Sequence, residues 1–271
     1  MSRDTTPPVK QQPIEVDRDG MTIRGMTYRP AVDSRTGRYP AVLLLHGFTG
    51  TRIENGFMFV RLARALASRG IAAVTFDFLH SGESDGSFEQ MLVTGELADA
   101  LRMTEWLQHQ AFVDRSRMGL LGFSLGGLLA SCVSARVDGC KSLVLMAPTT
   151  EKNIARHANR EGRCSMPDGA GGTYESLMFG THCLHPAFFD DVLTLDSVGD
   201  CVKHPRPTLV VQGTGDVAVP PAVSAEFVEA MKRGGVPCEL HLIEEADHAF
   251  MRPHWRSELI TKVTQWFEKT L

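Results

Sequence analysis

Met118-Gly119-Leu120-Leu121-Gly122-Phe123-Ser124-Leu125-Gly126-Gly127-Leu128-Leu129 decides how the rest of the chain is read. An apolar run ends at Leu121, a serine sits between glycines, and a helix starts near Leu125, which is G-x-S-x-G in a strand–turn–helix context. A turn that sharp forces the serine into a strained backbone conformation, so its neighbours must be tiny. Gly122, Gly126 and Gly127 supply that space. The helix that follows aims its first N–H groups at the serine, where negative charge develops during acyl transfer.

A nucleophilic serine needs a base, and the base needs an acid to orient it. After Ser124 the chain offers Asp216, directly past the apolar run Leu209-Val210-Val211, and His248, directly past the final strand-like segment. Both fall at strand C-terminal ends, where open α/β sheets build their sites. Asp247 is the rival acid, but as the immediate neighbour of His248 it is poorly placed to reach that ring's Nδ1. Upstream, His46-Gly47-Phe48-Thr49-Gly50 follows the first apolar run. The backbone N–H groups of Phe48 and Leu125 are the candidate oxyanion hole, each such donor contributing about 3 kcal/mol to a transition state. His46 reads as a brace for this loop, and Asp77 as a buried structural residue beside it.

Outward from the serine, apolar runs alternate with amphipathic segments. Met21–Tyr28, Ala41–Leu45, Ile71–Phe76, Met118–Gly122, Ser142–Ala147, Thr208–Val211 and Cys238–Ile243 read as strands. Asn55–Gly70, Phe88–His109 and Pro253–Leu271 read as helices. Repeated βαβ units imply a mostly parallel sheet covered on both faces. Residues 149–196 break the rhythm with a Gly-, His- and Cys-rich stretch of weak periodicity, expected to be a short lid inserted after the sixth core strand. Phe179, Phe188 and Phe189 within it are candidates for lining a substrate pocket, and packing of the lid on the sheet explains them equally well. The first dozen residues read as a loose arm, and residues 1–271 as a single domain.

The 271 residues carry 28 basic and 32 acidic side chains, a net charge of −4, which argues against a nucleic-acid partner. Six scattered cysteines without a C-x-x-C pair, and no apolar leader, lead to the expectation of reduced thiols and a soluble, cytoplasmic protein with no membrane partner. Gly213-Thr214-Gly215-Asp216-Val217-Ala218 fits G-x-G-x-x-A, but Asp216 would oppose a pyrophosphate and Pro220-Pro221 delays the helix that should bind it. Cys164, His182, Cys183, His185, Cys201 and His204 match no common zinc spacing. No cofactor and no metal are expected.

At this point the chain resembles the α/β-hydrolase superfamily from Ala41 to Leu271, and within it bacterial feruloyl (cinnamoyl) esterases. The matching pieces are His46-Gly47-Phe48-Thr49-Gly50, Phe76-Asp77-Phe78 with Gly82-Glu83-Ser84-Asp85-Gly86, and His241-Leu242-Ile243-Glu244 with Ala246-Asp247-His248. Where that family has Gly-His-Gly, this chain reads Leu79-His80-Ser81-Gly82. The resemblance implies the α/β-hydrolase fold, a mostly parallel eight-stranded sheet with helices on both faces and a short lid. It also implies Ser124, Asp216 and His248 as nucleophile, acid and base of a serine esterase acting through an acyl-enzyme on a small-molecule ester, with hydroxycinnamates as one substrate class. A homodimer follows from the resemblance alone. The alternatives are a short-chain carboxylesterase, a monoacylglycerol lipase-like enzyme or a thioesterase on the same residues, and, in a different class, a catalytically silent binding protein. A peptidase is disfavoured, because peptidases on this fold carry an added N-terminal domain. Because His248 must be neutral to act, activity is expected to fall below about pH 6 to 7.

Overall fold

In Tyr39–Leu45 (β3) every residue but Pro40 is buried. Val42 and Leu44 face one core, Leu43 and Leu45 the other. That two-sided burial is why the segment reads as an unbroken apolar run rather than an alternating one. The same division holds along Ala72–Phe76 (β4), Val113–Phe123 (β5), Cys140–Met146 (β6) and, further on, Thr208–Gly213 (β10). The computed structural model describes residues 9–31, 37–156, 162–167, 172–179, 182–203 and 205–271.

With Val9–Arg18 (β1), Met21–Pro30 (β2) and Cys238–Ile243 (β11), these strands form one eight-stranded sheet in the order β1-β2-β4-β3-β5-β6-β10-β11. Only the β1–β2 and β2–β4 pairs are antiparallel. Met58–Ser68 (α1) and Pro253–Thr270 (α8) cover one face. Val93–Gln108 (α2), Leu125–Ser134 (α3) and Pro221–Arg233 (α7) cover the other. All ten residues of α3 are buried, so the helix that follows Ser124 is held from every side. This is the expected α/β-hydrolase architecture.

The expected loose arm is corrected from Val9 onward, because β1 is a full edge strand paired with β2 in unbroken register from Val9↔Pro30 to Arg18↔Met21. Its outward positions are polar, as an edge strand's are, and this masks the inward Ile14 and Val16. The signal for it was the two-residue turn Asp19-Gly20, with φ of 56° and 84°, the left-handed pair that closes tight hairpins. Two helices start later than expected. Positive φ at Gly56 and Phe57 breaks the run before α1, and α2 begins at Val93 after a separate turn at Phe88–Gln90.

Between β6 and β10 the chain leaves the sheet. Glu151–Ala155 (α4) is followed by Arg163–Pro167 (β7), Thr173–Phe179 (β8) and His182–Leu184 (β9), a small antiparallel sheet in the order β7-β8-β9. Phe188–Val192 (α5) and Ser197–Lys203 (α6) lead back. Cys164 on β7 and Cys183 on β9 are disulfide-bonded, which corrects the expectation of six reduced thiols. Sequence spacing could not show this pairing, which depends on how β7 and β9 flank β8. The Asp191 carboxylate of α5 accepts the Thr94 N–H (3.0 Å) at the start of α2, fastening the excursion to the main body. Among the described residues no helix is long and apolar enough to cross a membrane.

Candidate active site

Ser124 stands between β5 and α3 with φ 55° and ψ −116°, a conformation an L-residue holds only under constraint. The constraint is visible on all sides. Its N–H donates to the Met146 carbonyl (2.9 Å), and its own carbonyl accepts from Gly127 (2.9 Å) and Thr149 (3.2 Å). A Cβ on Gly122 would run into the carbonyl of Gly126, and one on Gly126 into the carbonyls of Leu45 and His46. Both glycines are therefore required by close backbone approach, as the sequence pattern demands.

The C-terminal ends of β3, β5, β10 and β11 lie along one edge of the sheet and bring the predicted residues together. His248, after β11, places Nε2 3.0 Å from Ser124 Oγ. Its Nδ1 lies 2.7 Å from Asp216 Oδ2. Asp216 Oδ1 accepts the N–H groups of Ala218 (2.9 Å) and Val219 (2.8 Å), and Oδ2 also accepts from Gln212 Nε2 (3.0 Å). The Asp216 side chain is fully buried, and each of these partners of its carboxylate is a donor. In that setting His248 carries its proton on Nδ1 and presents the Nε2 lone pair to the serine hydroxyl. Asp247 turns away and accepts the Met251 N–H (2.9 Å).

The His46-Gly47-Phe48 loop lies directly against the serine. A Cβ on Gly47 would sit 3.3 Å from Ser124 Cβ. The Gly47 N–H donates to the buried Glu54 Oε1 (2.7 Å), which fixes the loop from behind. His46 braces it as expected: Nδ1 donates to the Gly47 carbonyl (2.9 Å) and Nε2 accepts from the Phe78 N–H (3.2 Å). Full burial lowers the pKa of this imidazole and keeps it neutral. Asp77, fully buried, accepts from the Arg52 N–H (2.6 Å), the Arg52 guanidinium and the Glu83 N–H (3.1 Å). The N–H of Leu125, first in α3, has no carbonyl one turn back in the helix to bond. Phe48 and Leu125 both border the serine in the same cavity.

Two cavities meet at Ser124 and His248. One, of about 280 Å³, is lined by Phe48, Leu125, Ile154, Phe188, Phe189 and Val219, with Thr149 and Asn153 as polar contributors. The other, of about 580 Å³, runs past Gly47, Thr51, Ile53, Gly56 and Phe57. Phe188 and Phe189 line the smaller cavity and are also buried in the core beneath it, and the Phe48 ring packs 5.5 Å from that of Phe188. The side chain of Phe179 lies outside the described residues, as do residues 168–171 and His204. Cys164 and Cys183 bond each other, and the His182 ring packs on Phe88 (4.8 Å).

Three residues escaped the sequence reading. The Phe123 ring lies 4.9 Å from His248 and supports it. Gln212 joins Asp216 to the Ser224 hydroxyl (2.6 Å). Its only signal was an amide closing an otherwise apolar strand. Glu54, tying down Gly47, gave no signal, since one acidic residue in a loop is unremarkable.

Comparison with known proteins adds a family. Residues 57–271 match the prolyl oligopeptidase family model. An Escherichia coli 31.7 kDa protein of uncharacterized function is 34% identical over 107 residues, 40% of this chain and 36% of that protein. The chain therefore spans little more than a third of that relative's length in the match. YitV of Bacillus subtilis, provisionally named an esterase, is 24% identical over 93% of this chain and 98% of its own. The structure of Est1E from Butyrivibrio proteoclasticus with ferulic acid bound superposes with a TM-score of 0.80 at 24% identity, covering 95% of this chain and 98% of that one.

Proposed function

This chain belongs to the prolyl oligopeptidase family, and from that premise we propose that it hydrolyses carboxylic esters through an acyl-enzyme on Ser124. The observation that carries the reading is the unbroken line Ser124 Oγ–His248 Nε2–His248 Nδ1–Asp216 Oδ2, at 3.0 and 2.7 Å, ending where two cavities meet. Ser124 Oγ attacks the ester carbonyl carbon as its proton passes to His248 Nε2. The carbonyl π electrons move to oxygen, and the N–H groups of Phe48 and Leu125 hold the oxyanion. Collapse breaks the bond to the alcohol oxygen, which takes the proton from His248 Nε2. Water then repeats the sequence on the acyl–Ser124 ester and releases the acid. Asp216 keeps the imidazole tautomer and stabilises the imidazolium.

For the acyl group we propose an aromatic acid of the hydroxycinnamate type. The smaller cavity has aromatic walls in Phe48, Phe188 and Phe189. Asn153, with Thr149, supplies the polar part of its lining, where a phenolic hydroxyl would find a partner. Est1E, whose structure holds ferulic acid, is a neighbour in fold. The test is kcat/KM for methyl ferulate against p-nitrophenyl butyrate, with Ser124→Ala as the blank. Preference for ferulate supports the aromatic acid. Cleavage of butyrate alone keeps the esterase and rejects the aromatic acid.

The family description favours a second reading, cleavage of a peptide amide by the same residues. An N-acyl-amino-acid p-nitroanilide turned over faster than the matching ester would select it.

A further inference from the structure

The larger cavity carries an exposed aromatic ring among its lining residues. Phe57 is 61% exposed at its rim, beside Ile53 at 38%. The chain reaches this arrangement through positive φ at Glu54 (57°), Gly56 (59°) and Phe57 (61°). Gly56 can adopt that conformation freely, but a bulky aromatic residue there is strained, and such strain persists only where surrounding contacts impose it. Those contacts are present. The buried Arg256 reaches back from α8 and donates to the Gly56 carbonyl (3.0 Å), and its guanidinium leaves no room for a Cβ on Gly56. Arg256 Nη2 also lies 3.6 Å from Met251 Sδ, so a third apolar side chain, 50% exposed, joins the same corner. On the other side Glu54 accepts the Asn55 N–H (3.2 Å) and the Gly47 N–H (2.7 Å), tying the turn to the loop beside Ser124. The fold holds an apolar ring in water at the open end of a cavity whose inner end is Ser124 and His248.

Resting on the esterase reading above, we propose that Phe57, with Ile53, is the platform that selects the alcohol half of the ester, and that it takes an apolar alkyl or aryl group. The two cavities divide the substrate by what each half must do. The acyl group stays bound until water releases it, which suits the smaller cavity roofed by Phe188 and Phe189. The alcohol departs first and water enters after it, which suits the larger one. A group leaving through that opening passes over Phe57.

The experiment compares methyl, butyl and benzyl butyrate, one acyl group with three alcohols, on the wild-type chain and Phe57→Ala, followed by titration of released acid. Each methylene fully removed from water is worth about fourfold. With the three added methylenes partly covered, the wild type is expected to favour butyl over methyl by about tenfold, and benzyl by at least as much. In Phe57→Ala that preference falls to about twofold. A parallel series of methyl esters with lengthening acyl chains keeps its wild-type ratios. A circular-dichroism melt shows that the variant folds, and Phe57→Leu, keeping apolar area without the ring, is expected to restore most of the butyl preference. Turnover with an unchanged alcohol preference in Phe57→Ala overturns this assignment alone, as does a loss confined to the acyl series. No turnover of any butyrate ester by the wild type overturns the esterase reading and this assignment with it.

Discussion

Asp216→Asn removes one charge while keeping the shape of the side chain. In the native carboxylate, Oδ1 accepts from Ala218 and Val219 N–H, and Oδ2 from Gln212 Nε2 and His248 Nδ1. Four donors converge on two acceptors, whereas an amide has one acceptor and one NH₂. If its oxygen faces the two backbone N–H groups, its NH₂ meets Gln212 and His248. His248 can accept from it only by moving its proton to Nε2, where the ring can no longer take the proton of Ser124. If the oxygen faces His248 instead, the NH₂ meets two backbone N–H groups that cannot turn away. The first orientation strands fewer donors, and each buried donor left unpaired costs about 1–3 kcal/mol. The expected result is a fall of about 10⁴ in kcat on p-nitrophenyl butyrate, from the wrong tautomer, with a stability loss of about 1–3 kcal/mol, a few degrees in Tm. Asp247→Asn is the control, because the hydrogen bond described for the Asp247 carboxylate is the one from the Met251 N–H, and an amide oxygen can take over that bond. It should stay within about threefold of wild type. Asp216→Asn within tenfold of wild type, or a larger loss in Asp247→Asn, refutes the assignment of the acid.

Three further outcomes follow from the structure. Burial, with Asp99 and Asp191 nearby, raises the Glu96 carboxyl well above its ordinary pKa, and burial raises Asp99 to about 7 despite Arg18 beside it. The native state therefore holds protons that the unfolded chain has released by pH 5, and these groups make stability fall as pH rises from about 5 to 8; Glu96→Gln should flatten the decline in Tm over that range, and an unchanged slope would contradict it. Gly126→Ala, pressed against the Leu45 and His46 carbonyls, should destabilise by about 3 kcal/mol or more, whereas Gly95→Ala, in α2 with open space around it, should stabilise by about 0.5–1 kcal/mol, both read from urea unfolding. With Cys164 and Cys183 joined, the denatured, unreduced chain should titrate four thiols, those of Cys132, Cys140, Cys201 and Cys238, and six after reduction.

What could be read from the sequence depended on whether the signal was local. The Ser124 elbow was legible because its glycines stand within a few residues of the strained position they relieve. Asp216 and His248 were legible because each closes an apolar run, and strand ends gather along one edge of a parallel sheet. The β1 strand was hidden by the polar outer face of an edge strand, although the Asp19-Gly20 turn marked it. The breaks before α1 and α2 escaped because apolar spacing continues across them, and only backbone angles at Gly56 and Phe57 reveal the first. The disulfide, the Gln212–Asp216 bond and the Glu54–Gly47 bond were out of reach, since each joins residues whose proximity exists only after folding.

The most direct test of the account is the pre-steady-state reaction with p-nitrophenyl butyrate, quenched for peptide mass analysis. The account predicts a burst of p-nitrophenol matching the enzyme concentration wherever deacylation is the slower step. It also predicts a butyryl group on the peptide that contains Ser124, and neither burst nor adduct in Ser124→Ala. Hydrolysis that survives Ser124→Ala, or an adduct on any other residue, would contradict it.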